Sequence, residues 1–349
     1  MSSTHRRAPR RVSASMADVA RTAGVSVGTV SHVLNHPDRV REATRLRVLG
    51  AIDQLGFVRN SNASFLAAGE NRTIGLIVID IGNSLFVDIA RGAQHRVGHE
   101  TMSLLLANSD NDDALQDRHL DFFNSARLAG VLLAPMRDPH LALDRARRLG
   151  TAVVVLNYRS QHDDHCSVLI DNEEAGYLAG RHLIELGRRR LAFVGGRDEL
   201  QPVHDRRTGV RRAVAESPGT TLVELATENL EAPDGDQAGE QIADQPAATR
   251  PDGVIAVTDL LGMAIIQAIG RHGLSVPGDV AVMGCDYNSN AWGGTIPLTS
   301  VRMRGQDMGR AGVDLLLEEL SAGDDHEHRD VVLRPSLVAR ESTVGRSGT

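Results

Sequence analysis

From Thr73 to Asp286 the chain repeats one unit, a short and nearly continuous aliphatic run followed by a longer segment with apolar residues at helical spacing. The first series reads TIGLIVID, FVDIARGAQHRVGHE, MSLLLANS, DDALQDRHLDFFNSARL, AGVLLAP, HLALDRARRLG and AVVVLN. A second series reads EEAGYLAGRHLIELG, RLAFVGG, DRRTGVRRAVAES, TLVELAT, GDQAGEQIADQ, GVIAVT, DLLGMAIIQAIGRHG and DVAVMGCD. Strands without polar alternation are buried on both faces, and the helices between them supply the cover. The pattern predicts parallel α/β sheets in two doubly wound lobes of similar build. Aromatics are only 3% of the chain, so its 41% of hydrophobic residues must form mainly aliphatic cores. Lobes of this kind place ligands at the carboxyl ends of their strands, and two facing lobes form a cleft.

The first seventy residues follow another pattern. Residues 1–66 hold ten arginines against Asp18, Asp38, Glu42 and Asp53, a net +6, although the whole chain is at −7. All 38 basic residues are arginine. A basic head on an acidic body suits a head that meets a polyanion and a body that stays in solution. Within the head, SMADVARTA reads as a helix capped by Ser15, with Gly24 ending it in a turn that needs positive φ. Ser26 caps a second helix, VGTVSHVLN, and EATRLRVLGAIDQLG makes a third, with Leu46, Leu49, Ile52 and Leu55 expected to close the core. The spacing of Ala20, Gly24 and Val30 is that of a helix-turn-helix. Small polar residues on the second helix suit entry into the major groove. Val27, Gly28, Thr29, Ser31 and His32 fall on or near that face. His32 is expected to bond a base acceptor and Val27 to touch a thymine methyl, while Thr29, Ser31 and the helix-start amides suit phosphates. A three-helix protein-interaction unit is the competing reading.

Other chemistries find little support. Cys166 and Cys285 form neither a disulfide framework nor a metal spacing, which suits a reduced cytoplasmic protein. HDDHC (His162–Cys166) and DDHEHRD (Asp324–Asp330) are polar loops with no HExxH or CxxC pattern, so no metal is expected. No cofactor fingerprint appears, and no enzyme activity is expected. No apolar run reaches the length of a membrane span, and MSSTHRRAPRRVSAS lacks the apolar core of a secretory signal, reading instead as a disordered basic arm.

The stretch DVARTAGVSVGTVSHVLN (Asp18–Asn35) and the step LGFVRN into a connector resemble the lactose/galactose repressor (LacI-type) family of bacterial transcription regulators. So do LIDNEEAGYLAGRHLIELG, GVIAVTDLLGMAIIQAIGRHGLSVPGDVAVMGCD and PLTSVR, and the likeness spans about residues 15–343. The resemblance implies a three-helix helix-turn-helix head on an α/β body like that of periplasmic binding proteins. It implies that the connector becomes a hinge helix on operator binding, with Leu66 wedged into the minor groove. Ser15, Asn35, Arg59 and Asn60 complete the DNA-side candidates, Arg59 standing where several relatives have proline. For the cleft it implies Asn83, Phe86, Asn108, Asp110, Arg137, Asn157, Tyr158, Arg159, Arg206, Thr258, Asp259 and Asp286. Asn157 is often Asp in relatives, and Thr258 often Asn.

The expected organisation is an arm at 1–14, the head at 15–59, a hinge at 60–71, the body at 72–343 and a tail at 344–349. Lobe one is expected over about 72–171 and 303–328, lobe two over about 172–302 and 329–343. The expected function is repression through a palindromic operator, controlled by a small metabolite, with a sugar favoured, in the inter-lobe cleft. A solute receptor without a DNA role, and a regulator using a nucleobase or nucleoside as corepressor, are the alternatives. The tail ARESTVGRSGT has no leucine heptad, which predicts a homodimer, joined through helices near Phe86–His99 and Ala264–His272.

Overall fold

A computed structural model describes residues 14–57, 71–196, 200–287 and 296–345. It divides into two units, residues 1–71 and 72–349.

In the first unit, helix α1 (Met16–Ala23) opens on a reciprocal cap. The Asp18 amide donates to Ser15 Oγ (3.2 Å), and the Ser15 amide and hydroxyl donate back to the Asp18 carboxylate. These bonds from Ser15 hold the exposed Asp18 carboxyl below its ordinary pKa. Gly24 ends the helix at φ 64°, where a side chain would be strained. Ser26 then caps α2 (Val27–Asn35), and α3 spans Glu42–Leu55. The core is built from Val19, Ala20, Ala23, Val30, Val33, Val48 and Ala51.

That core corrects the expected phase of α3. Leu46 is 56% exposed and Leu49 40% exposed, whereas Val48 is fully buried. Ile52 and Leu55 only flank the core. The reason is size. Helices α1 and α2 offer alanines and valines, so the third helix approaches closely only along its own small residues, and Val48 and Ala51 take the inner face.

The second unit holds two six-stranded sheets. The first contains β1 (Thr73–Val78), β2 (Ser103–Asn108), β3 (Gly130–Leu133), β4 (Ala152–Leu156), β5 (Ser167–Ile170) and, late in the chain, β11 (Asp330–Leu333). Its order is β11-β5-β4-β3-β1-β2, all parallel. The second contains β6 (Arg190–Gly195), β7 (Thr221–Ala226), β8 (Gly253–Ala256), β9 (Ala281–Asp286), β10 (Thr299–Arg302) and β12 (Ser336–Val338). Its order is β12-β10-β9-β8-β6-β7, parallel except for antiparallel β12. The chain thus changes lobe after β5, after β10 and after β11.

The last change of lobe differs from the expected boundary at 329. Asp330–Leu333 pairs in parallel with Ser167–Ile170 and belongs to the first lobe, so the crossing falls between Leu333 and Ser336. The run DVVL is half-buried, and composition alone does not say which sheet edge it joins.

Helices α4 (Ser84–His99), α5 (Asp113–Ser125), α6 (His140–Arg148) and α11 (Gly305–Ala322) serve the first lobe. Helices α7 (Asn172–Glu185), α8 (Gln201–Ala215), α9 (Ala232–Ala243) and α10 (Asp259–Arg271) serve the second, and α12 (Glu341–Val344) packs on β9. Helices α7 and α8 meet backbone to backbone. A Cβ on Gly176 would strike the Arg206 carbonyl, and one on Gly209 the Glu173 carbonyl. This close approach brings Asn172, at the start of α7, to Arg206 on α8.

Candidate nucleic-acid interface and effector cleft

On the head, the candidate reading face lies on α2. Val27 is 47% exposed, and Gly28 and His32 are exposed beside it. Thr29 is partly engaged, its amide donating to Ser26 Oγ (3.1 Å) and its hydroxyl lying 2.9 Å from the same oxygen. Ser31 is half-buried. Ser15 is committed to its cap. The Nδ1–H of His32 donates to the Gly28 carbonyl (3.2 Å), because a carbonyl can only accept. In neutral His32 the free Nε2 is therefore an acceptor, suited to a base amino group. The expected bond from His32 to a base acceptor uses Nε2 as a donor instead, in the doubly protonated ring. Arg59, Asn60 and Leu66, and the side chain of Asn35, lie outside the described residues.

In the body, a cavity of about 70 Å³ lies between the lobes. Asn83, Phe86 and Asn157 line it from the first lobe, Arg206 and Thr258 from the second. Several of these polar groups also serve their own backbone. Asn83 caps α4, accepting from the Leu85 amide (2.9 Å), and Thr258 caps α10, accepting from the Leu261 amide (3.3 Å). Asn157 holds φ 56°, a left-handed setting that Asn tolerates.

The centre of the site is a buried polar chain that crosses the lobes. Asn172 Nδ2 donates to Asn157 Oδ1 (3.1 Å), and Arg206 Nε donates to Asn172 Oδ1 (3.0 Å). Arg206 Nη1 donates to the Val257 carbonyl (2.6 Å) and lies 3.9 Å from Asp286 Oδ1, which has no hydrogen-bond partner. Burial pushes the Asp286 carboxyl well above its ordinary pKa, against the pull of Arg206 and with the help of Asp259. Asp286 faces a neighbouring cavity of about 300 Å³, also lined by Asp88, Tyr287 and Arg302. Asp259 accepts from the Ser300 hydroxyl (2.5 Å) behind it.

The other candidates stand outside the lining of this cavity, although Arg159 lines a neighbouring pocket with Asn157, Asn172 and Gln201. Asn108 Oδ1 accepts from the Ile81 amide (3.1 Å) and so positions the loop before α4. Asp110 is exposed, and its neighbour Asn111 lines the cavity instead. Arg137 turns away to pair with Asp113 (2.9 Å) and Asp117 (3.5 Å) on α5. Tyr158 packs on an apolar cluster of the first lobe. The backbone of Arg159 is clasped by Gln201, with its amide donating to Oε1 (2.6 Å) and its carbonyl accepting from Nε2 (3.0 Å). Asp80, Asn111, Glu231 and the bridging Asn172 were not among the candidates. Asn172 stands in the quoted LIDNEEAG segment, but its reach to both lobes depends on the glycine contact of α7 with α8.

A helix-turn-helix head joined to a two-lobed binding body defines a class of regulators, and comparison with known proteins places the chain within it. Residues 15–60 match the profile of bacterial regulatory proteins of the lacI family, and residues 181–343 that of the periplasmic binding protein-like domain. The chain is 31% identical over 333 residues to the HTH-type transcriptional repressor PurR of Pectobacterium carotovorum subsp. carotovorum (strain PC1), covering 94% of this chain and 96% of that one. It is 29% identical over 336 residues to PurR of Aliivibrio fischeri (strain MJ11), covering 95% and 99%. The solved complex of the transcriptional regulator CelR with cellobiose has a TM-score of 0.69 at 28% identity, covering 94% of this chain and 99% of that one. A lac repressor dimer bound to operator and the anti-inducer ONPF has the same fold, with a TM-score of 0.80 at 22% identity over 95% and 99% of the two chains. The chain belongs to the LacI family. It is a ligand-controlled, DNA-binding transcriptional repressor, and its relatives are transcription regulators rather than enzymes. Among the described residues no helix is long and apolar enough to cross a membrane.

Proposed function

We propose that the protein binds a palindromic operator as a homodimer, one head on each half-site, and that a sugar bound between the lobes sets operator affinity. The observation that carries the effector reading is the half-satisfied Arg206–Asp286 pair, joined through Asn172 to Asn157 of the other lobe. Buried polar groups without full partners are costly, and a ligand with paired hydroxyls supplies what is missing. The guanidinium fork donates to hydroxyl oxygens, and a carboxylate accepts from two hydroxyls. Phe86 lines the cleft and offers an aromatic face to the apolar side of a sugar ring. The cellobiose complex of CelR is in keeping with this choice.

The cleft couples to the head by population shift. A ligand that favours one relative placement of the lobes biases the arrangement of the dimer, and effector and operator affinities are then reciprocally linked. In this reading α2 supplies Val27, His32 and neighbouring groups to the DNA. Leu66 acts at the central step, α4 and α10 contribute to the dimer contact, and the protein works in the cytoplasm.

The test selects binding sites from a random DNA library with the full chain at moderate salt, then titrates sugars and nucleobases by calorimetry. A palindrome that weakens or strengthens with a bound sugar is expected. Sequence-independent, salt-sensitive binding alone would overturn the half-site reading. Binding of a nucleobase without any sugar would replace the effector.

A further inference from the structure

The two polar loops that carry no metal motif in sequence meet in space. Strands β5 and β11 are parallel neighbours, with Asp330 opposite Ser167, so the connections leading into them lie side by side. The Ser167 amide donates to the Arg329 carbonyl (3.2 Å) and fixes that register. It sets Cys166 against His326 and His328, residues about 160 positions later in the chain. Cys166 Sγ lies 3.1 Å from His326 Nε2 and 3.8 Å from His328 Nδ1, and all three atoms fall within 4.8 Å of one another. Around a tetrahedral zinc ion, bond lengths near 2.3 Å to sulfur and 2.05 Å to nitrogen put S and N about 3.6 Å apart. The observed separations bracket that value.

A cavity of about 280 Å³ opens beside the two histidines, at the amino-terminal end of the first sheet and away from the effector cleft. Glu319, near the end of α11, lines it, and its Oε2 is buried without a hydrogen-bond partner. Burial raises the Glu319 pKa, against the pull of Arg147. Arg147 lines the same cavity, but Asp164 engages it at 2.5 Å. Asp164 also accepts from His165 Nδ1 (2.9 Å).

We propose that Cys166, His326 and His328 form a zinc-class metal site whose fourth side opens toward Glu319. A thiolate and a carboxylate balance a divalent charge, and sulfur with two imidazoles selects a borderline-soft ion over magnesium or calcium. The ion staples the connection before β5 to the one before β11, the strand from which the chain makes its last crossing between lobes. Zinc displaces the Cys166 proton, so affinity falls as pH falls. A second cluster, His140, Asp144 and Asp164, offers harder ligands, and both of its carboxylates already pair with Arg147, so it serves as the control.

The test titrates the full-length protein, without a polyhistidine tag, with Co(II) and then competes with Zn(II). One equivalent should give a thiolate-to-cobalt charge-transfer band and the intense visible absorption of a tetrahedral site, both removed by zinc. Cys166→Ser should lose the charge-transfer band, and His328→Ala should weaken binding at least tenfold, while His140→Ala should bind as wild type. His328 is exposed, so its variant remains informative if the buried Cys166→Ser does not fold. Absence of the band, its persistence in Cys166→Ser, unaltered affinity in His328→Ala, or its loss in His140→Ala would overturn the site.

Discussion

The head and the cleft use polar side chains in opposite ways. On α2 Val27, Gly28 and His32 are exposed, the candidates come from one short stretch of chain, and the bonds of Thr29 and His32 stay within that stretch. In the cleft Asn157, Asn172, Arg206 and Asp286 are buried, come from segments far apart in the chain, and hold one another in place. The contrast follows from their targets. A base edge in a groove is reached by a protruding helix, and the outward side chains need only be small and uncommitted. A small metabolite must be enclosed, so its partners pay desolvation before it arrives and have to be satisfied by neighbours meanwhile. Substitutions in the head should therefore act one contact at a time, and those in the cleft through a network.

The largest effect is expected at Arg206. In Arg206→Met the buried Asp286 loses its nearest cation, and effector affinity should fall by roughly 100-fold, with the selected operator unchanged. Calorimetry beside fluorescence anisotropy would show it. Equal loss of DNA binding would mean that the two regions are not separable in this way.

The head offers the next test, which also checks the phase of α3. Val48→Ala should cost the head about 2 kcal/mol, while Leu46→Ala should stay within about 0.5 kcal/mol. Amide hydrogen exchange across α1–α3 separates the two variants. A reversed order would restore the leucine face as the core.

A smaller change is expected from His32→Ala. Loss of one base contact should weaken operator binding by about 1 kcal/mol and relax preference at one position per half-site. The salt dependence of binding should not change. A steeper or shallower salt slope would place His32 on phosphate.

The finest comparison concerns pH. Asp286 has a folded pKa above its unfolded value, so the folded protein binds the extra proton first. Its penalty is present at neutral pH and is relieved as pH falls through the raised value toward 3.8. His182 and His328, both lowered by burial, push the other way below their ordinary value of 6.5. The informative quantity is thus the Tm of wild type minus that of Asp286→Asn, which should rise as pH is lowered from 7 toward 5. A flat difference would mean that Arg206 already keeps Asp286 ionised without strain.

How much could be read from sequence differs along the same line. Aliphatic runs alternating with helical segments determined two parallel α/β lobes, because period and composition are local properties. Ser15, Gly24 and Ser26 likewise announced the helix-turn-helix, since caps and turns are set within a few residues. Resemblance pointed to Arg206 and Asp286 as ligand partners, yet not to Asn172, which joins Arg206 to Asn157.

The remaining features were decided by contacts between distant segments. Which face of α3 turns inward depended on the small residues that α1 and α2 present. The sheet that takes Asp330–Leu333 depended on a free edge beside β5. The turn of Arg137 away from the cleft depended on Asp113 and Asp117 on a helix it does not adjoin in sequence. The meeting of Cys166 with His326 and His328 depended on two parallel strands starting together. Local chemistry shapes each element, but long-range pairing chooses its neighbours, and the neighbours determine which side chains are free to act.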